Sequence, residues 1–269
     1  MSRDKRKRVE YLIRELEKDV PGSADYPVPD DPDEAFDLFR ALCNVRMPGD
    51  VSDEFLTAEK EYLEERTRTK GITDAAGLQP VPSDSRLVLW QGDITTLKCD
   101  AIVNAANSQM LGCFRPLHNC IDNMIHTMAG VELRNECSRQ MEALRQKYGK
   151  NYEQPTSVPL ITPGYHLPAK YVIHVVGPIA APFLKKEHKE QLADCYTRCL
   201  AMARDHACAS VAFCCISTGV FLFPQDKAAE IAVASVKEWL DAHPESSVKR
   251  VIFNVFKDSD LAIYQKLLV

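Results

Sequence analysis

The chain reads as an α/β protein: a mostly parallel or mixed sheet of about six strands between helices, behind a small N-terminal helical extension. Three observations predict this. From residue 86 onward, short Val/Ile-rich runs alternate with longer amphipathic stretches. The runs are almost continuously apolar, the pattern of strands covered on both faces. Residues 1–71, by contrast, carry helical periodicity and turn signals only.

Size and composition bound the function. With 269 residues there is room for one large domain, or for one domain and an appendage. A hydrophobic content of 45% with 26% charged residues suits a globular protein rather than a disordered one. The net charge of -5 argues against broad binding to nucleic acid, which needs a basic face. Residues 1–8 are basic, but they merge into a helix and read as its solvated start. No apolar run approaches the roughly 18 residues of a membrane span. No signal-peptide core follows the first residues, so a cytoplasmic protein is expected. The 10 cysteines are then reduced thiols or metal ligands rather than disulfides.

In order, Val9, Leu12, Ile13 and Leu16 lie on one helical face, which predicts a helix over about 5–19, stopped by Pro21 and Gly22. Asp31, Pro32, Asp33 and Glu34 form a helix start, with Phe36, Phe39 and Leu42 facing inward. Ser52 starts a third helix that buries Phe55, Leu56, Tyr62 and Leu63 and ends at Gly71. Residues 72–85, rich in Pro and small polar residues, read as a linker to a main domain at 86–269. There the expected strands are 87–91, 101–103, 158–161, 171–176, 211–216 and 248–256. The expected helices are about 122–148, 186–206, 225–242 and 259–268.

Ligands in such folds collect at the carboxyl ends of strands, and the distinctive residues stand there. Between the second strand and the following helix lie Cys113, His118 and Cys120, spaced Cys-x4-His-x-Cys. Thiolate and imidazole are zinc ligands, and three with an open position make a working rather than a structural site. A cysteine is also a small apolar residue, so spacing alone leaves a metal site and a packed loop both open. Cys195 and Cys199 share a helical face, where burial is the simpler reading. Adjacent Cys214 and Cys215 are expected on opposite sides of a strand. Ser217, Thr218, Gly219, Val220 and Phe221 form a strand-loop-helix junction. A glycine free to take positive φ and a helix N-terminus beyond it suit a phosphate or diphosphate, though a plain turn has the same composition. Asp93 either caps a turn or accepts from an exocyclic amine. Asn107 either caps a turn or holds a sugar hydroxyl. Asp122 either caps its helix or aims at a sugar or a metal-bound water. His126 and His174 read as satisfied core histidines. Phe256 is core edge, or a platform for a flat base.

Four blocks, in order, carry a resemblance: Gly92-Asp93-Ile94-Thr95; Asn104-Ala105-Ala106-Asn107-Ser108; Asp122 with Ile125-His126; and Ser217-Thr218-Gly219 through Phe221 to Pro224. Together they resemble the macrodomain family, over roughly residues 86–269. The resemblance implies a three-layer α/β/α module with a mixed central sheet that binds ADP-ribose. By resemblance, Asp93 and Ile94 contact adenine, Asn107 holds the distal ribose, and Ser217, Thr218, Gly219, Val220 and Phe221 wrap the diphosphate. Ile121, Asp122 and Phe256 complete the expected ADP-ribose site.

Where ordinary hydrolytic members carry a glycine-rich run, this chain keeps Gly112 and inserts residues 113–120 before Ile121 and Asp122. The insertion resembles the zinc-dependent bacterial and fungal subclass. The first 70 residues, with Asn44-Val45-Arg46 and Gly71-Ile72-Thr73-Asp74, resemble that subclass's N-terminal extension. The subclass removes ADP-ribose from proteins. Some members work beside a sirtuin-type ADP-ribosyltransferase and a lipoylated glycine-cleavage H-like protein. The resemblance thus implies a hydrolase of mono-ADP-ribosylated protein holding one Zn2+ at Cys113, His118 and Cys120, with Asn107 and Asp122 catalytic and ADP-ribose as product. An O-linked Asp/Glu ester is the expected bond, since an ester yields to a modest activator. A non-catalytic reader of ADP-ribose and a hydrolase of free O-acetyl-ADP-ribose are the alternatives.

Overall fold

A computed structural model describes residues 3–20, 22 and 27–268. Pro21, expected to stop the first helix, and the first two residues of the basic start lie outside the described residues. Three helices come first: α1 (Arg3–Asp19), α2 (Pro32–Val45) and α3 (Asp53–Lys70). Their starts follow the chemistry of the sequence. The Asp31 carboxylate accepts from the N–H groups of Asp33 and Glu34, ahead of Pro32. Ser52 accepts from Phe55 N. These bonds satisfy amides that a helix leaves unpaired at its first turn. Val9, Leu12, Phe36, Phe39 and Leu63 are buried in one continuous core with the strands that follow.

The connection at 72–85 is pinned rather than free. Strand β1 (Thr73–Asp74) runs parallel to β2 (Leu97–Lys98), and Lys98 pairs with Asp74 at 2.9 Å. Six further strands build the main sheet: β3 (Leu87–Gln91), β4 (Ala101–Ala106), β5 (Leu160–Pro163), β6 (Tyr171–Val176), β7 (Ser210–Phe213) and β8 (Arg250–Val255). Their spatial order is β3-β8-β7-β4-β6-β5. All neighbours pair in parallel except β5, which runs antiparallel to β6 at the edge, so the sheet is mixed.

Helices α4 (Ile121–Ala129) and α5 (Val131–Tyr148) pack on one another. Helices α6 (Lys186–Asp205), α7 (Gln225–Ala242) and α8 (Asp258–Leu267) form a second group, α6 on α7 and α7 on α8. The sheet lies between these layers, the architecture the apolar strands predict. Among the described residues no helix is long and apolar enough to cross a membrane.

Strands β5 and β8 have other ends than the expected 158–161 and 248–256, and three larger differences from the sequence expectation bear on the site. The single helix expected over 122–148 is two. Gly130, at φ 92°, separates them, and a Cβ there would stand 2.6 Å from Glu59 Oε2. The buried Glu59 carboxylate, from α3, accepts the Val131 N–H at 3.2 Å and so caps α5 from another element. Strand β4 runs on to Ala106, with Asn104 buried inside it. Strand β7 ends at Phe213, so Cys214 and Cys215 are not strand residues facing opposite sides. Both lie in the loop beyond it and line the same cleft.

Candidate active site

A cleft of about 540 Å³ opens at the carboxyl ends of β4, β7 and β8. It is lined by the 217–222 loop, by Cys120 and Ile121, and by Phe256, which is 71% exposed. The sheet reverses its order of strand addition here, the usual place for a ligand crevice.

The 217–221 loop is built for an anion. Leu222 and Phe223 donate their N–H groups back to Gly219 O and Ser217 O. Thr218 Oγ1 bonds to Cys215 O at 3.0 Å. Among the described residues, the amides of 218–221 have no intramolecular acceptor. The N-terminus of α7 follows, and its positive end favours negative charge. The left-handed positions are Ser217 (φ 66°) and Leu222 (φ 56°), not Gly219 as the sequence suggested. The Ser217 hydroxyl is buried in the cleft wall without a hydrogen-bond partner among the described residues. Gly177 lets it pack there, since a Cβ on Gly177 would come within 2.1 Å of Ser217 Oγ.

Behind Ile121 lies a buried polar network. Asp122, 5% exposed, accepts from Asn104 Nδ2 at 2.8 Å through Oδ1 and from Asn107 Nδ2 at 3.4 Å through Oδ2. Burial pushes its carboxyl up to about 6, partly offset by the Asn104 bond and the Arg134 charge. Asn107 is also tied to Gly112 O, at 3.0 Å. Asn104 reaches His174 Nδ1 at 3.1 Å, and His174 Nε2 meets Thr162 Oγ1 at 3.1 Å, so His174 is satisfied as expected. His126 is not. Neither of its buried ring nitrogens has a hydrogen-bond partner among the described residues, and Nε2 stands 3.6 Å from Asp122 Oδ1.

The loop between β4 and α4 brings Cys113, His118 and Cys120 together, their donor atoms all within 4.8 Å of one another. Cys113 Sγ lies 3.3 Å from His118 Nδ1. Tetrahedral zinc, with bonds of about 2.3 Å to sulfur and about 2.0 Å to nitrogen, sets donors roughly 3.5 Å apart. Burial pushes the Cys120 thiol up to about 12, and a cation is what draws such a thiol into its anionic form. Asn123 N donates to Cys120 Sγ at 3.4 Å, so the sulfur also caps α4. The donor set fits zinc and adjoins the cleft. A second group, His126, Cys137 and His174, is wholly buried. Cys195 and Cys199 are buried in α6.

Asp93 and Ile94 follow the edge strand β3 at the same carboxyl end of the sheet, outside the cleft lining. Ile94 is buried. The Asp93 carboxylate caps a short turn through Thr95 N and pairs with Lys70 of α3 at 3.0 Å. The sequence reading missed Gly177, Asn254 and Asp260, which line the cleft, whereas Phe256 and Lys257, at the end of the last strand, do stand at it. The first could have been sought at Val176-Gly177-Pro178, where a strand ends in a glycine.

A three-layer α/β/α domain with an anion loop and an Asn/Asp pair at its strand ends defines a class, and the comparisons name it. The Macro domain family model matches residues 103–232. A "Protein-ADP-ribose hydrolase" of Treponema medium is 48% identical over 262 residues, 97% of this chain and 96% of its own length. One of Staphylococcus aureus (strain MSSA476) is 46% identical over 96% of this chain and 94% of its own. The chain belongs to the macro domain family. Among solved structures, a Trypanosoma brucei macrodomain in complex with ADP-ribose superposes with a TM-score of 0.64 at 27% identity, covering 90% of this chain and 97% of its own. An Oceanobacillus iheyensis macrodomain with ADP gives 0.59 at 32%, covering 70% and 92%.

Proposed function

We propose that the protein is a zinc-dependent hydrolase that removes mono-ADP-ribose from an Asp or Glu side chain of a modified protein. The observation that carries this reading is the meeting of three groups at one cleft. Cys120, whose sulfur gathers with Cys113 and His118, lines the cleft beside Ile121, and the Asn107/Asp122 pair lies directly behind that lining. The unpaired amides of 218–221 belong to the loop that also lines it. Near-full-length similarity to two proteins named protein-ADP-ribose hydrolase supports the activity.

The diphosphate lies along 218–221 and takes the Ser217 hydroxyl as a further donor. Phe256 offers its exposed ring to the adenine. Asp93 and Ile94 lie on the same side of the sheet, where Lys70 already holds the Asp93 carboxylate. Asn107 holds a hydroxyl of the distal ribose. Asp122 Oδ2 takes the proton of the attacking water as the water oxygen bonds to the anomeric carbon, and the protein carboxylate leaves. Cys113, His118 and Cys120 would hold the zinc, which would supply Lewis-acid charge for orienting the ribose or acidifying the water. Placement of the water and the carboxylate is then the work of this chain's own residues.

The test is release of ADP-ribose by the purified protein from an Asp/Glu-modified protein, with O-acetyl-ADP-ribose run beside it. Release from the protein substrate, lost in Asp122→Asn, is the expected result. Tight ADP-ribose binding without release would make the chain a reader. Release from the small ester alone would make the free compound its substrate.

A further inference from the structure

The three helices before the sheet carry none of the expected catalytic or metal residues, yet one of them grips the metal-ligand loop. Residues 115–117 and Asn119 are exposed, and the loop has no regular structure. Leu117 holds a left-handed φ of 54°, which an unsupported leucine abandons. The support comes from α2. Arg40 Nη2 donates to His118 O at 2.8 Å, and Arg40 Nε donates to Asn123 Oδ1 at 2.8 Å. Asn123 in turn donates to Arg115 O at 3.0 Å and, through its backbone, to Cys120 Sγ. One turn along α2, buried Asn44 accepts the Leu117 N–H at 3.0 Å and donates to Thr127 Oγ1 at 3.2 Å.

Arg40 and Asn44 lie at i and i+4, so they face the loop together while Phe39 and Leu42 face the core. A second brace stands at the loop's start. Arg134 of α5 donates to Leu111 O and to Cys43 O of α2, and lies over the Phe114 ring at 4.4 Å. The carbonyl and amide groups that α2 holds belong to the ligand His118 and its neighbour Leu117. They fix the backbone from which the imidazole projects between the two cysteines.

We infer that α2 is a clamp that holds the Cys113/His118/Cys120 loop in ligand geometry before the metal arrives, with Arg40 and Asn44 as its positioning residues. This rests on the zinc reading above. A preformed ligand set binds metal more tightly than one that must be ordered on binding, and partners behind the ligands typically change metal affinity about 10–100-fold.

The experiment uses the full chain, stripped of metal, with the zinc dissociation constant measured by competition against a chromogenic chelator. Arg40→Gln and Asn44→Ala are each expected to weaken zinc about 10-fold or more, and Arg40→Lys, which can keep one of two bonds, by less. Glu61→Gln, which removes a surface ion pair between α3 and Arg8 of α1, leaves the constant unchanged. The melting temperature of each metal-free variant is read beside it, because a merely structural role lowers stability and leaves the zinc constant alone. Hydrogen exchange at the Leu117 amide adds a second readout, with protection lost in metal-free Asn44→Ala. If Arg40→Gln does not fold, Arg40→Lys and Asn44→Ala carry the test. Variants that bind zinc as tightly as the wild type, or an unchanged Leu117 amide, overturn the clamp. A wild type that takes up no zinc overturns the zinc reading itself, which distinguishes the two failures.

Discussion

Ser217 is the residue whose removal most sharply separates ligand binding from stability. Its hydroxyl is buried with no hydrogen-bond partner among the described residues, and its backbone sits at φ 66°. Ser217→Ala keeps that backbone cost, because both side chains carry a Cβ, so the hydroxyl alone changes. An unsatisfied buried hydroxyl costs about 1–3 kcal/mol, and the contacts of one lost oxygen return part of that. A net gain of about 1 kcal/mol follows for the ligand-free protein. With 269 residues and about 2.1 cal/mol/K of unfolding entropy per residue, that is an upward shift of about 2 °C in Tm. Binding moves the other way. A hydrogen bond to a charged phosphate oxygen is worth about 1.5–3 kcal/mol, so ADP-ribose should bind about 10–100-fold more weakly. Thermal scans and calorimetric titration of the same variant measure both. A Tm that falls, together with unchanged affinity, refutes the argument that this hydroxyl is held unpaired for the ligand.

Two further outcomes concern the scaffold. Burial holds His126 well below its ordinary range and His174 down to about 3, so the unfolded chain takes up two protons below about pH 6.5 that the folded chain refuses. These two groups lower stability by up to about 2.7 kcal/mol per pH unit as pH falls below that point, and below about pH 6 the raised Asp122 carboxyl, which takes up a proton only in the folded chain, offsets about half of it. Urea midpoints between pH 7.5 and 5 measure it, and a flat profile contradicts it. Gly130→Ala forces a Cβ to within 2.6 Å of Glu59 Oε2 at φ 92°, and is expected to cost about 2–3 kcal/mol in urea unfolding; a loss under about 0.5 kcal/mol shows that Glu59 can yield.

What was legible in the sequence depended on how local its cause was. The strand Tyr171–Val176 and the helix Gln225–Ala242 have the bounds their own patterns predict, since apolar runs and caps mark both ends. The break at Gly130 was not legible, because it is held open by Glu59 on α3. Asn104 hid the second half of β4. A polar residue reads as a strand end, and only the fold shows it bonded to both Asp122 and His174. Cys113, His118 and Cys120 were legible as candidate ligands from their short spacing, and the structure brings their donor atoms together. The grip of Arg40 and Asn44 on that loop joins segments far apart in the chain, and no spacing rule reports it. His126 was misread for the converse reason. Burial follows from helical periodicity, but hydrogen-bond satisfaction depends on every neighbour.

The measurement that bears most directly on the account is ADP-ribose release from an Asp/Glu-mono-ADP-ribosylated protein, made on enzyme whose zinc has been counted, after chelation, and after zinc is restored. A zinc-dependent hydrolase carries about one zinc per chain, loses release on chelation, recovers it on restoring zinc, and does not recover it in Cys120→Ala, which should still bind ADP-ribose through the 217–221 loop. Equal release by the zinc-free protein would remove the Cys-His-Cys loop from the chemistry.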